Sequence, residues 1–305
     1  MCHEKVLLTG ASGFLGNYLQ KYFPKGLLKI GRSVSNDIHC DLARDVPSLP
    51  QLDLVIHNAG KAHIVPKNVK EEEAFFQVNY QGTLNLLEGL EKAPSLPRQI
   101  IFISTVAVYG ITQGALITED HPLMGASPYA KSKILAEQVI KDWSRKNAVD
   151  SLILRLPLVV GANALGNLAA IRNAIINKWY IRIKGNTARK SAVLADDVGS
   201  LIANSFGKTG TYNLTDGLHP SFEALENAIA DSLNKKILFS IPKRPIEIVA
   251  KVGDGLNKLN IPFPLNSDRL QKMTSDLTFS SEKAIRDLEW TPKAVIPAIE
   301  KGILN

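Results

Sequence analysis

Short apolar runs alternate along the chain with longer stretches in which apolar residues recur every three to four positions. That rhythm predicts β-α-β units around a parallel sheet covered on both faces. The predicted buried strands are 5–9, 27–30, 54–57, 100–104 and 151–155. Between them, 71–90 carries Phe75, Val78, Leu84 and Leu87 at helical spacing. The stretch 128–146 opens with Pro128, whose fixed φ suits a first helical position. It sets Leu135, Val139 and Trp143 on one stripe beside Ala136 and Ile140. Beyond about residue 160 the rhythm loosens; 191–194 and 211–214 are read as two later strands of the same sheet, and from about Pro220 a smaller helical lobe begins. The class is therefore α/β: a doubly wound parallel sheet with a smaller C-terminal lobe. The sheet domain takes in 1–165 with about 188–218, and the lobe about 166–187 with 219–305. No internal repeat or low-complexity tract interrupts the pattern.

Composition narrows the class. The 305 residues are 45% hydrophobic and 21% charged, with a mean hydropathy of zero, which describes a globular chain able to bury a sizeable core. Lys and Arg number 36 against 29 Asp and Glu, a net charge of +7. That excess suits anionic ligands without the clustered charge of a nucleic-acid binder, so no nucleic-acid partner is expected. Cys2 and Cys40 cannot build a disulfide framework. Cys2, His3 and Glu4 precede the first apolar run, so no signal-peptide core is expected at the start, and no run approaches a membrane span. The expectation is a cytoplasmic enzyme.

The first predicted strand runs into Gly10, Gly13 and Gly16, three glycines three apart, and then into a helical stretch. Such spacing lets the chain turn tightly, lets a pyrophosphate approach the helix N-terminus, and lets helix and strand pack closely. At a first β-to-α junction it predicts a dinucleotide site of Rossmann type. After the second strand come Gly31, Arg32 and Ser33, with no acid before Asp37. A carboxylate there would bind the ribose diol of NAD, whereas a cation accommodates a 2′-phosphate. NADP is therefore the preferred cofactor, with NAD possible. No metal is expected: His39, His121 and His219 lack metal-ligand spacing with each other or with the cysteines.

Tyr129 and Lys133 stand four apart on one helix face. A nearby cation, together with an oxidised nicotinamide, would stabilise the phenolate and lower the phenol toward the range of a neutral-pH acid/base. Ser104 and Thr105 close the fourth predicted strand, and ligands of open α/β sheets bind at such carboxyl ends.

At this point the chain resembles the extended short-chain dehydrogenase/reductase family, the NAD-dependent epimerase/dehydratase family of nucleotide-sugar epimerases, dehydratases and reductases. The resemblance runs from residue 5 to about 300. It is carried by the glycine turn, Asp41-Leu42, His57-Asn58-Ala59-Gly60, Asn79 to Thr83, Ser104 to Gly110, the Tyr129/Lys133 pair, Leu154 to Pro157, and Lys283 to Pro292, where Glu289 stands in place of a glycine. It implies that Tyr129 is the acid/base, that Lys133 holds the nicotinamide ribose and tunes Tyr129, and that Thr105 holds the reacting oxygen. Gly10, Ser12, Gly13, Phe14, Leu15 and Gly16 would cradle the pyrophosphate, with Arg32 and Ser33 at the adenosine phosphate. Asp41 and Leu42 would flank adenine, and Asn58, Ala59, Gly60, Asn79, Ser104, Leu156 and Pro157 would line the rest of the cofactor. The resemblance further implies a nucleotide-sugar substrate, UDP-linked by preference, and a homodimer built on two helices beside the site.

Family members that dehydrate the sugar carry an Asp-Glu pair after the catalytic Thr; here Val106 and Ala107 follow. That leaves reduction of a 4-keto-6-deoxy (amino) sugar by NADPH, which Arg32-Ser33 and Lys61 to His63 favour, or 4-epimerisation. A non-catalytic NADP-binding sensor or scaffold stays open too, although the intact Thr105/Tyr129/Lys133 set argues against it. Lys61 and His63 are candidate sugar contacts, while Asn167, Leu168, Arg189, Lys190 and Arg269 are candidates for the nucleotide diphosphate. His57 reads most simply as a packed or capping histidine and Trp143 as helix core. Between Lys235 and Lys258, six basic and two acidic residues surround apolar positions. This is either an amphipathic helix touching anionic membrane or, more simply, a lobe helix with a solvated basic face.

Overall fold

The computed structural model describes residues 5–62, 64–258, 263 and 265–304. In chain order its elements are β1 (Val6–Thr9), α1 (Phe14–Leu19), β2 (Leu27–Gly31), β3 (Ile38–His39), β4 (Leu54–His57), α2 (Val69–Phe76), α3 (Gly82–Glu91), β5 (Gln99–Thr105), β6 (Gly114–Ile117), α4 (Pro128–Asn147), β7 (Asp150–Leu156) and β8 (Leu158–Val160). They continue with α5 (Asn167–Ile176), β9 (Ile181–Lys184), β10 (Ala192–Leu194), α6 (Ala195–Ala203), β11 (Gly210–Asn213), α7 (Phe222–Ser232), β12 (Phe239–Pro242), α8 (Lys243–Lys258), α9 (Ser267–Thr274), β13 (Leu277–Phe279), α10 (Glu282–Leu288) and α11 (Val295–Glu300).

Among the described residues, seven strands form one sheet in the order β11-β7-β5-β4-β1-β2-β3. Every neighbouring pair in it is parallel. Alternate side chains of each strand enter two cores. Leu8, Ile56, Ile103 and Leu154 pack beneath α1, α6 and α10, with Trp290 closing that side. Leu7, Val55, Phe102 and Ile153 pack beneath α3 and α4 on the other. The strand order reverses between β1 and β4, whose registers pair Thr9 with His57. At such a switch point the loops leave in opposite directions and open a crevice.

Three expectations are corrected. Strand β10, at the predicted 191–194, pairs with β8 in a separate two-stranded ladder rather than joining the main sheet. Pro157, which has no amide hydrogen, ends β7 before β8 begins. On α4, Leu135 is exposed, while the inward face is formed by Ser132, Lys133, Ala136, Glu137, Ile140, Trp143 and Ser144. The helix predicted at 71–90 runs as α2 and α3 joined by a π-helical turn, Gln77–Gln81. A third core, built on Val160, Leu168, Leu194, Leu225, Ile229 and Ile299, holds α5, α7 and α11 together.

Candidate active site

The turn after β1 has little room for side chains. Gly10 takes a positive φ of 67°, and a Cβ there would stand 2.8 Å from the Ala59 backbone. A Cβ on Gly16 would strike the Gly10 carbonyl oxygen and stand 2.6 Å from that of Ala11. Gly13 is the N-cap of α1, and no side chain caps it. The first amides of a helix have no partner within it and carry partial positive charge, so this end accepts an anion. The predicted pyrophosphate residues are thus brought together here, Ser12 and Gly13 exposed and Leu15 and Gly16 buried. The cradle fits a dinucleotide.

A buried relay fixes the facing wall. The Ala59 amide donates to Thr9 Oγ1 at 2.8 Å, and Thr9 Oγ1 lies 2.8 Å from His57 Nδ1. His57 Nε2 lies 2.9 Å from Thr83 Oγ1, which donates to the Asn79 carbonyl at 2.6 Å. The two ends set every proton between them. Thr83 gives its own proton to Asn79 and must accept from Nε2–H, so Nδ1 is the acceptor for Thr9. His57 is therefore held neutral, and burial drives its pKa down to about 3. The reading of a packed histidine agrees with this placement. Asn58 Nδ2 donates to the Gly10 carbonyl at 3.0 Å, tying the two loops across the crevice. The Asn79 side chain accepts from the Lys61 amide at 2.7 Å and donates to Ser132 Oγ at 2.9 Å.

Tyr129 and Lys133 lie on α4, which begins at Ser127, whose hydroxyl caps the Ala130 amide at 3.2 Å. Tyr129 is hydrogen-bonded to the Thr105 side chain at the end of β5. The Lys133 ammonium donates to the Ile103 carbonyl at 2.7 Å, lies 4.3 Å above the Phe102 ring and closely faces Gly60. Burial pushes Lys133 down to about 8, against the pull of Glu137. In the chain alone, burial raises the Tyr129 phenol, and what opposes it is the Thr105 bond. The Lys133 ammonium is engaged by Ile103. Phe75 lies 6.2 Å from the Tyr129 ring, with Lys61 Nζ 5.6 Å from its own centroid, which brings Lys61 to the Tyr129 side of the site.

At the end of β2, Arg32 and Ser33 are exposed. The Asp37 carboxylate accepts from the Lys29 amide at 2.8 Å. A cavity of about 460 Å³ is lined by Arg32, Ile38, His39, Asp41, Asp45 and Pro47 among others. Asp41 Oδ1 accepts from the Ala43 amide, and the buried Leu42 gives its carbonyl to Asn85. Ser104, Leu156 and Pro157 stand at the adjacent ends of β5 and β7, paired through Thr105 and Leu156.

The substrate candidates are more scattered. Asn167 is exposed at the first position of α5, while Leu168 is buried in the third core and offers only backbone. Arg189 donates to the His219 and Leu218 carbonyls, and Lys190 to those of Lys272 and Ser275. Arg269 begins its turn of α9 with its amide on Asn266. His63 lies outside the described residues. Sequence reasoning gave no role to Thr9, Thr83, Ser132, Glu137 and Arg155, polar residues buried within helices and strands.

Residues 6–202 match the model of the NAD dependent epimerase/dehydratase family. The chain belongs to this family of NAD(P)-dependent enzymes, which acts on nucleotide sugars. Over 92% of its length it is 28% identical to N-acetyl-alpha-D-glucosaminyl-diphospho-ditrans,octacis-undecaprenol 4-epimerase of Escherichia coli O157:H7, covering 88% of that protein. It is 36% identical to GDP-6-deoxy-D-mannose reductase of Pseudomonas aeruginosa, over 46% of this chain and 47% of that one. In fold it is similar to UDP-N-acetylglucosamine 4-epimerase from Methanobrevibacter ruminantium M1, with a TM-score of 0.74, 19% identity, and coverage of 99% of this chain and 98% of that one. Among the described residues no helix is long and apolar enough to cross a membrane.

Proposed function

We propose that the chain is an NADPH-dependent reductase of a 4-keto sugar carried on a nucleoside diphosphate, with a UDP-linked 6-deoxy amino sugar as the favoured substrate. The observation that carries this reading is at the end of β2: Arg32 and Ser33 are exposed, and the nearest acid, Asp37, is bound to the Lys29 amide. That arrangement suits a 2′-phosphate; of the carboxylates that line the same cavity, Asp41 and Asp45, neither directly follows β2 where a ribose-diol acid would stand. NADPH in turn suits net reduction, which consumes cofactor at every turnover.

Reduced nicotinamide, when bound, supplies the hydride. Gly10, Gly13 and Gly16 with the uncapped end of α1 would hold the pyrophosphate, and Asn58 to Gly60 the opposite wall. Thr105 would hydrogen-bond the C4 carbonyl oxygen, and Tyr129 would donate its phenolic proton to that oxygen as the hydride reaches carbon. A phenol kept protonated by burial suits that direction. Val106 and Ala107 offer no second acid, so elimination of water has no proton carrier there. The sugar nucleotide would lie between these strand ends and the lobe formed by about 166–187 and 219–305, with Lys61, Asn167, Arg189, Lys190 and Arg269 as its candidate contacts.

A second reading, 4-epimerisation, is favoured by the similarity to the Escherichia coli O157:H7 epimerase over nearly the whole chain. Incubation with UDP-4-keto and UDP-4-hydroxy sugars, with and without NADPH, separates the two. Stoichiometric NADPH loss with a 4-keto sugar supports the reductase; C4 inversion without net cofactor loss replaces it with the epimerase. Tight NADP binding with no turnover of any nucleotide sugar would favour a sensor.

A further inference from the structure

Helix α8 carries two apolar faces, and its own fold uses one. Ile246, Ala250 and Gly253, spaced by four and three, are buried. Ile246 and Ala250 pack with Ile183 of β9 and Leu270 of α9 in a small satellite core. Ile248, Val249 and Val252 belong to a second stripe, and they are exposed. At 100° per residue this stripe lies well off the buried face, so no rotation of the helix could bury both against one neighbour. The strand pair beside α8 carries further exposed apolar side chains: Phe239 of β12 is paired in register with Ile181 of β9, and both are exposed, as is Trp179 just before β9. These six side chains are 45% to 65% exposed. Scattered singly they would mean little, but gathered on one small unit they mark an interaction surface.

Charge says what covers it. Arg244, Lys251 and Lys258 recur at seven-residue spacing and form an exposed row along one edge of the apolar stripe. Lys235, Lys236 and Lys243 are exposed on the approach to it. The acids of this segment are Glu247 and Asp254, and the Asp254 carboxylate is held by the Ser267 amide and hydroxyl at 3.0 and 2.5 Å. A second copy of the same surface would bring this cationic row against its own charge, whereas an anionic bilayer complements both the row and the apolar stripe. A basic row beside aliphatic side chains and an exposed tryptophan is the composition of a helix that lies in the membrane interface.

We propose that α8 and the β9/β12 edge dock on an anionic lipid surface and hold the C-terminal lobe against it, without spanning the membrane. The proposal stands whether the sugar is reduced or epimerised. Trp179 supplies a built-in probe, because Trp143 and Trp290 are buried. The full chain is mixed with vesicles in which roughly a third of the lipid is phosphatidylglycerol, and with vesicles of phosphatidylcholine alone. The expected result is co-sedimentation with the anionic vesicles, a blue shift of tryptophan emission that Trp179→Phe abolishes, and weakening by salt. The triple variant Ile248→Ser/Val249→Ser/Val252→Ser and the pair Arg244→Glu/Lys251→Glu should each bind the vesicles at least about tenfold more weakly. NADP binding, unchanged in both, reports an intact fold. Equal vesicle binding by the triple variant, or none by the parent chain, overturns the proposal. So does a parent that is dimeric in lipid-free buffer and turns monomeric in the triple variant, since a second copy then occupies the stripe.

Discussion

The Ser104 hydroxyl donates a 2.5 Å hydrogen bond to Oε1 of Glu137. The same carboxylate takes two bonds from Arg155, at 3.0 Å from Nε and 2.7 Å from Nη2. Arg155 also donates to the Tyr109 hydroxyl, which donates in turn to Asn213. Thr105, which bonds Tyr129, follows Ser104 directly, so the network braces the end of β5 from behind. One buried ion pair therefore stands directly behind the residue that bonds the candidate proton donor.

Breaking that pair leaves a buried cation facing a neutral amide. Glu137→Gln keeps the shape of the side chain and its bond to Ser104 but removes the charge opposite Arg155. Loss of one partner of a buried pair costs about 3–5 kcal/mol. The urea midpoint should drop accordingly, and Ser104→Ala should lower the stability by about 1 kcal/mol. A Glu137→Gln midpoint as high as that of the parent chain would show that Arg155 is satisfied by Tyr109 and the Glu119 carbonyl alone.

How much of this was legible in the sequence varies with chemistry. β4 agrees with its predicted span residue for residue because all four of its side chains are buried and three of them, Leu54, Val55 and Ile56, are aliphatic. The glycine turn and the Tyr129/Lys133 pair are legible because few residue types can take those positions. The inward face of α4 was legible at Ala136, Ile140 and Trp143, but not at Ser132, Lys133 and Glu137, because a hydrophobic pattern assigns polar residues to solvent. Their burial depends on partners distant in sequence: Asn79 for Ser132, the Ile103 carbonyl of β5 for Lys133, and Ser104 and Arg155 of β5 and β7 for Glu137. The same holds for Thr9 and Thr83, whose value lies in a histidine between them.

Removal of the Tyr129 hydroxyl should separate chemistry from binding. Tyr129→Phe keeps the ring against Phe75 but has no proton to give. Turnover should fall by about 10² to 10⁴-fold, the range for a lost general acid, while NADP affinity stays within about twofold. Single-turnover kinetics beside a cofactor titration measures both. Near-normal turnover would move the proton donor elsewhere.

Arg32 offers a test of cofactor choice on its own. With Asp37 bound to Lys29, Arg32→Asp would introduce the carboxylate that the end of β2 lacks. NADPH affinity should fall by about tenfold or more, from the lost charge-assisted contact and the new repulsion, and NADH should bind as well or better. Fluorescence titration of both reduced cofactors reads the ratio; an unchanged ratio would assign Arg32 to solvent.

The relay through His57 makes a prediction about acid. In the fold Nδ1 accepts from Thr9, so protonation would turn that bond into a clash of two hydrogens within a buried site. His57 therefore stays neutral down to about pH 3, while in the unfolded chain it takes a proton near 6.5. Between those values the unfolded chain binds more protons, so stability rises with pH across the window and is at full strength above 6.5. At about pH 5 the loss from this one group should be about 2 kcal/mol. His57→Gln should start less stable near neutrality, because an amide cannot span Thr9 and Thr83 with the same reach, and should show a flatter decline from about pH 7 to pH 5. Urea midpoints at the two values, compared between parent and variant, measure that difference in slope. Parallel declines would mean that the acid sensitivity lies in other groups and that His57 is protonated in the fold.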